Sequence, residues 1–114
     1  MLIVLARIEV APGRRADFLS EFHRLMPAVH AEEGCLEYGP TVDATTDLPR
    51  QVRLGDDVVM IVEKWASLAH LQAHLNAPHM AAYRERVKDL VRSSQLFILE
   101  PTADGIVPSS SHVR

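Results

Sequence analysis

The chain has one cysteine, Cys35, among 114 residues. A lone thiol excludes an intrachain disulfide framework and suits a reducing compartment such as the cytoplasm. Runs of lysine and arginine are missing too. Twelve basic residues stand against 15 acidic ones, for a net charge of −3, so nothing here has the electrostatic footprint of a nucleic-acid binder. No apolar stretch approaches the roughly 20 residues that span a bilayer, so no membrane partner is expected. The first residues, Met1 to Arg7, carry no positive leader and read at once as strand, which argues against a signal peptide. The chain also lacks the glycine-rich fingerprint of a dinucleotide site, in agreement with no bound nucleotide cofactor.

What is present is an ordinary apolar fraction, 47%, enough for one domain with a modest core. That domain is expected over residues 1–101, with a serine-rich tail over 102–114. Leu2 to Val10 reads as a strand with Val4, Ala6, Ile8 and Val10 on one face and Ile3 and Leu5 on the other. Pro12-Gly13 turns the chain. Arg14 to Glu33 reads as a helix with a stripe of Phe18, Phe22, Leu25, Met26 and Val29, kinked at Pro27 and stopped at Gly34. Cys35 to Asp43 is a second strand, with Gly39-Pro40 marking a bulge or an edge. A polar loop follows, then a strand from Val58 to Trp65. Two helices are expected over Leu68 to Asn76 and His79 to Arg92, and a last strand over Gln95 to Leu99. This order predicts an α+β fold of ferredoxin-like type, an antiparallel four-stranded sheet with helices on one face. The last two strands are apolar on both faces, and no helix is left to cover the second. A second copy of the chain is the simplest cover, so a homodimer is expected.

The chemistry gathers between Glu63 and Met80, which hold the single tryptophan and three of six histidines. Ser67 suits an N-cap, and Leu68, Leu71 and Leu75 form one helical stripe. Pro78 breaks that helix, and His79 and Met80 start the next. Polar and aromatic groups at such a break, beside an apolar stripe, predict a small pocket. Its expected lining is Trp65, His74, His79, Met80, Tyr83 and Tyr38. His74 lies beside the leucine stripe and can turn its ring inward, so it is the first choice as base. His79 sits at a helix start, where the dipole favours a bound anion. The plain alternatives are a core aromatic for Trp65, a carbonyl-bonded core histidine for His74 and a capping role for His79. His70 and His74 are spaced to share a metal, but no acidic or thiol third ligand stands at a recognisable spacing, so no metal is expected. Cys35 has no cation beside it in sequence and reads as a buried thiol.

The marks Glu32-Glu33-Gly34-Cys35, Tyr38 with Pro40, Val42-Asp43, Trp65, Ser67, Ala69-His70-Leu71, Ala73-His74-Leu75, Pro78-His79-Met80 and Ala82-Tyr83 occur in that order. With them the chain resembles the antibiotic-biosynthesis monooxygenase superfamily, and within it the bacterial quinol monooxygenases, from about Met1 to Pro101. The resemblance implies a dimeric α+β barrel. It also implies oxidation of a quinol or similar activated phenol by O2 without flavin, haem or metal. Trp65 matches a tryptophan of the family's haem-degrading members. Ala6 and Tyr83 stand where those members have an asparagine and a histidine, so haem degradation is disfavoured. Some relatives are instead cofactor-free isomerases of small oxo-compounds. A non-catalytic binder of small aromatics is the rival from another class.

Overall fold

The computed structural model describes residues 1–103. Its elements run β1 (Leu2–Val10), α1 (Arg15–His30), β2 (Cys35–Thr41), β3 (Val58–Trp65), α2 (Leu68–Leu75), α3 (Pro78–Val87) and β4 (Val91–Leu99). The strands form one sheet in the order β2-β3-β1-β4, and every neighbouring pair is antiparallel. This is the ferredoxin-like α+β arrangement that the element order predicts. The expected tail lies outside the described residues, apart from Thr102 and Ala103. Among the described residues, no helix is long and apolar enough to cross a membrane.

Period-two alternation decides which way β1 and β3 face. Val4, Ala6 and Ile8 of β1 are buried beside Ile61, Glu63 and Trp65 of β3. Onto this face α1 packs Phe18, Phe22, Leu25 and Val29. Aromatic rings close the core: Phe22 stacks on Tyr38 at 5.3 Å between centroids and meets Tyr83 edge-on at 5.9 Å. α1 stays helical through Pro27, and the N–H of Ala31 bonds the Pro27 carbonyl at the helix end.

α1 and β2 end earlier than the sequence reading has them, at His30 and Thr41, and the two largest differences lie at the last helix and strand. The last helix ends at Val87, not Arg92, and β4 begins at Val91, not Gln95. Leu90 and Val91 fit a helical stripe, but Val91 pairs with Val10 of β1 instead, and the N–H of Ala11 bonds the Leu90 carbonyl. Pairing with a central strand outweighs about one and a half further turns of weak periodicity. β2 is an edge strand, as Gly39-Pro40 suggests, yet the register shift falls between Cys35 and Glu37.

Gly34 joins α1 to β2 at φ +80, and a Cβ there would collide with the His70 ring. His70 is held over it by Ser67, whose Oγ caps α2 by accepting the His70 N–H at 3.2 Å and bonds Nδ1 at 2.7 Å. Gly34→Ala therefore meets left-handed strain and a ring with little room to move. We expect a loss of about 2–4 kcal/mol, read as a lowered urea midpoint with unchanged slope. A midpoint within error of wild type would show that His70 swings away freely.

The far face of the sheet has no helix over it. Leu5 pairs with Val62 and Phe97, and Ile3 pairs with Leu99, so these five side chains form one apolar patch. Phe97 is 44% exposed and Leu99 45% exposed.

Candidate active site

A cavity of ≈ 440 Å³ opens between the helix pair α2–α3 and the sheet. Ala6, Ile8 and Ile61 floor it, and Met80 and Val87 wall it from α3. Polar side chains interrupt this apolar lining: Tyr38 from β2, Glu63 from β3, His74 from α2, Tyr83 from α3, and Ser94 and Gln95 from β4. Arg84 and Lys88 also border it.

His74 is 1% exposed, buried because α2 turns it to the same side as Leu71. Its ring lies over Trp65, with 4.5 Å between centroids, and edge-on to Tyr38 at 5.3 Å. Nδ1 is 2.9 Å from Glu32 Oε2. A carboxylate only accepts, so Nδ1 carries the proton and Nε2 keeps the lone pair. Nε2 has no hydrogen-bond partner among the described residues, and no buried side-chain nitrogen or oxygen there is left unpaired, so Nε2 is accessible from the cavity. Burial pushes the His74 pKa below its ordinary value, against the opposing pull of Glu32. The ring is thus neutral and basic near pH 7.

Glu32 also accepts from His79 Nε2 at 2.6 Å, on the same oxygen. The two imidazoles and the carboxylate place their ligand atoms within 4.8 Å of one another. The sequence showed no third ligand near a histidine pair; folding supplies one from 42 residues upstream of His74. Donor types alone would suit a divalent metal. In this structure the three side chains are joined by hydrogen bonds, with the shared oxygen 2.9 Å from His74 Nδ1 and 2.6 Å from His79 Nε2.

Glu63 faces the cavity from the floor and is 5% exposed. Trp65, two residues on and therefore on the same face of β3, donates Nε1–H to Glu63 Oε1 at 2.9 Å. Burial pushes the Glu63 pKa up to about 7; the Trp65 hydrogen bond opposes this and the Glu32 charge adds to it. Burial also raises Tyr38 and Tyr83 well above the usual phenol range, so both hydroxyls stay neutral donors. Cys35 is held protonated by burial and by the charges of Glu32 and Glu63.

Of the six residues expected to line a pocket, Tyr38, His74, Met80 and Tyr83 do so. Trp65 is wholly buried behind the wall, between Glu63 and His74. His79 lies on the outer side of Glu32, its side chain 31% exposed, and does not reach the wall. Sequence reasoning missed Glu32 and Glu63. The second was legible, since alternation puts position 63 on the inward face with Ile61 and Trp65.

The sequence profile of the family described as "Antibiotic biosynthesis monooxygenase" matches residues 1–86. The chain belongs to this family. It is 45% identical over 103 residues to "Probable quinol monooxygenase YgiN" of Escherichia coli K12, which covers 89% of this chain and 98% of that protein. Among solved structures, PA3566 from Pseudomonas aeruginosa shares the fold with a TM-score of 0.73 at 25% identity, covering 89% of this chain and 93% of that one. Rv0793 from Mycobacterium tuberculosis does so with a TM-score of 0.72 at 24% identity, covering 89% and 94%. The cavity just described is accordingly the candidate active site of a monooxygenase of the antibiotic biosynthesis type. Ala6 and Tyr83, where haem-degrading members carry nitrogen side chains, both stand on its wall.

Proposed function

We propose that this monooxygenase oxidises a quinol, or a similar activated phenol, with O2 and without flavin, haem or metal. The observation that carries the reading is His74: a buried imidazole with Nδ1 tied to Glu32 and Nε2 free in a largely apolar cavity. A phenol is a poor electron donor to O2, and its anion is a good one. His74 Nε2 takes the phenol proton as general base. The anion passes one electron to O2, and the resulting radical pair recombines at a ring carbon. Apolar walls keep water from the pair before it collapses. The neutral hydroxyls of Tyr38 and Tyr83 are placed to bond the substrate oxygens. Overall, a quinol and O2 become a hydroxylated quinone and water.

Oxygen uptake with reduced menadione, from pH 5 to 9, tests this on protein dialysed against a chelator. Uptake above the rate without protein, with no visible absorption band from the protein itself, is the expected result. Turnover of an oxo-compound without O2 would make the chain an isomerase. Saturable binding without any turnover would make it a binder of small aromatics. A reducing compartment such as the cytoplasm suits the lone thiol Cys35.

The working form in this reading is a homodimer, two sheets packed through the patch of Ile3, Leu5, Val62, Phe97 and Leu99. Leaving a patch of this kind in water is unfavourable, and an obligate interface there buries on the order of 2,000 Å² or more. Light scattering at low micromolar concentration should give twice the 12.7 kDa chain mass. A folded monomer at that concentration would rule the dimer out.

A further inference from the structure

We propose that Glu63 is the proton donor of the reaction, delivering its carboxyl proton to the peroxide formed when O2 joins the substrate ring. This rests on the quinol reading above and adds a second catalytic residue to it. Glu63 is the one carboxyl on the cavity wall among the described residues. No Lys, Arg or His of the described residues pairs with it. Trp65 holds Oε1, and Oε2 has no hydrogen-bond partner among the described residues, which leaves it for the cavity. A glutamine would hold Trp65 as well, without the cost of a buried acid. What the carboxyl adds is an exchangeable proton.

The groups around it favour the acid form. Tyr38 and Cys35 face it from β2, Tyr83 from α3 and Glu32 from the end of α1, and none is a cation near it. His74 shares the cavity, and Arg84 and Lys88 border it from the α3 side, the latter paired with Glu85 at 2.6 Å. With burial raising Glu63 to about 7 and lowering His74, the two groups separate into an acid and a base.

The protons balance. His74 takes the phenol proton, and one electron passes from the quinolate to O2. The ring carbon and superoxide form a C–O bond, giving a peroxide anion, and Glu63 protonates its outer oxygen. The hydrogen on that ring carbon then leaves as a proton to the Glu63 carboxylate, and its electron pair forms the C=O. The O–O bond breaks, and the departing hydroxide takes the proton held by His74 and leaves as water. Without a donor the pair instead separates to quinone and hydrogen peroxide, which consumes the same O2.

The experiment measures hydroxylated quinone and hydrogen peroxide per O2 consumed, for wild type and Glu63→Gln, from pH 5 to 9. In wild type the peroxide share should climb as pH rises through about 7, as the donor is lost. In Glu63→Gln the hydroxylated product should fall about 10-fold or more at every pH, with that limb gone. Glu63→Asp, which keeps an acid on a shorter arm, should restore part of the yield. Hydroxylation by wild type at a pH-independent product ratio overturns the proposal and spares the quinol reading, as does Glu63→Gln with wild-type ratios. The wild-type profile decides the matter even where Glu63→Gln does not fold. Wild type that makes only quinone and peroxide overturns both.

Discussion

His74→Ala is expected to lower quinol turnover by about 10²–10⁴-fold, the usual worth of a positioned general base. Substrate binding should change little, since Tyr38, Met80, Tyr83 and the sheet floor remain. The pH profile separates this from a structural defect. In wild type the rate should fall with acid only below the ordinary histidine range, because burial holds the His74 pKa down. The variant should lack that limb and follow the ionisation of the substrate alone. Stability should drop by about 1–3 kcal/mol, more than a half-exposed ring would cost, because His74 is 1% exposed and its removal leaves a void against Trp65. That void offers a further check. Free imidazole in the assay should recover part of the rate, with the pH dependence of the added base. A variant with wild-type rate and profile would remove His74 as base. His79 could not simply replace it, since it stands behind Glu32 and off the wall. Ionisation of the quinol in solution would then be the better account.

The fold was largely legible because its signals are local. Alternation in β1 and β3, the stripe of α1, Ser67 before α2 and Pro78 opening α3 each follow from neighbours in the chain. The apolar far face was legible for the same reason. The start of β4 is not legible, because Leu90 and Val91 continue the stripe of Tyr83 and Val87, and only pairing with β1 resolves it. The site divides along the same line. His74, Met80 and Tyr83 announce themselves by position on a helix face. Glu63 is one alternation step from Trp65, and its inward place follows from the same period of two. Glu32 stands among the marks of the family resemblance, but nothing local points to a role in the site. It follows α1 as one of two glutamates before a glycine, and only the close of the sheet brings it to two histidines 42 and 47 residues away. Trp65 was placed by likeness on a wall that it supports from behind.

Glu32 should therefore repay substitution more than its place in the sequence suggests. It acts through His74, as a positioning residue. One of its oxygens serves both His74 Nδ1 and His79 Nε2. Glu32→Ala leaves the His74 Nδ1–H buried with no acceptor, at a cost of about 1–3 kcal/mol in stability. The ring is then free to take the other tautomer, with the proton on Nε2 and no lone pair in the cavity. In a serine protease, a mispositioned tautomer of this kind costs about 10⁴ in rate. For Glu32→Ala we expect about 10²–10⁴-fold lower turnover. Glu32→Gln separates orientation from charge. Its amide oxygen can stand where the shared oxygen stands and keep the tautomer, so only the counter-charge to the imidazolium is lost. A smaller drop, about 10-fold, is expected. Both variants should move the acid limb of the rate profile to lower pH, because Glu32 raises the His74 pKa against burial. With that pull removed, His74 loses its proton at a lower pH and is a weaker base above it. The order wild type, Gln, Ala in rate, with the limb displaced in both variants, supports an oriented His74. Glu32→Ala with an unmoved limb and wild-type turnover would show that the Glu32–His74 contact only braces the fold.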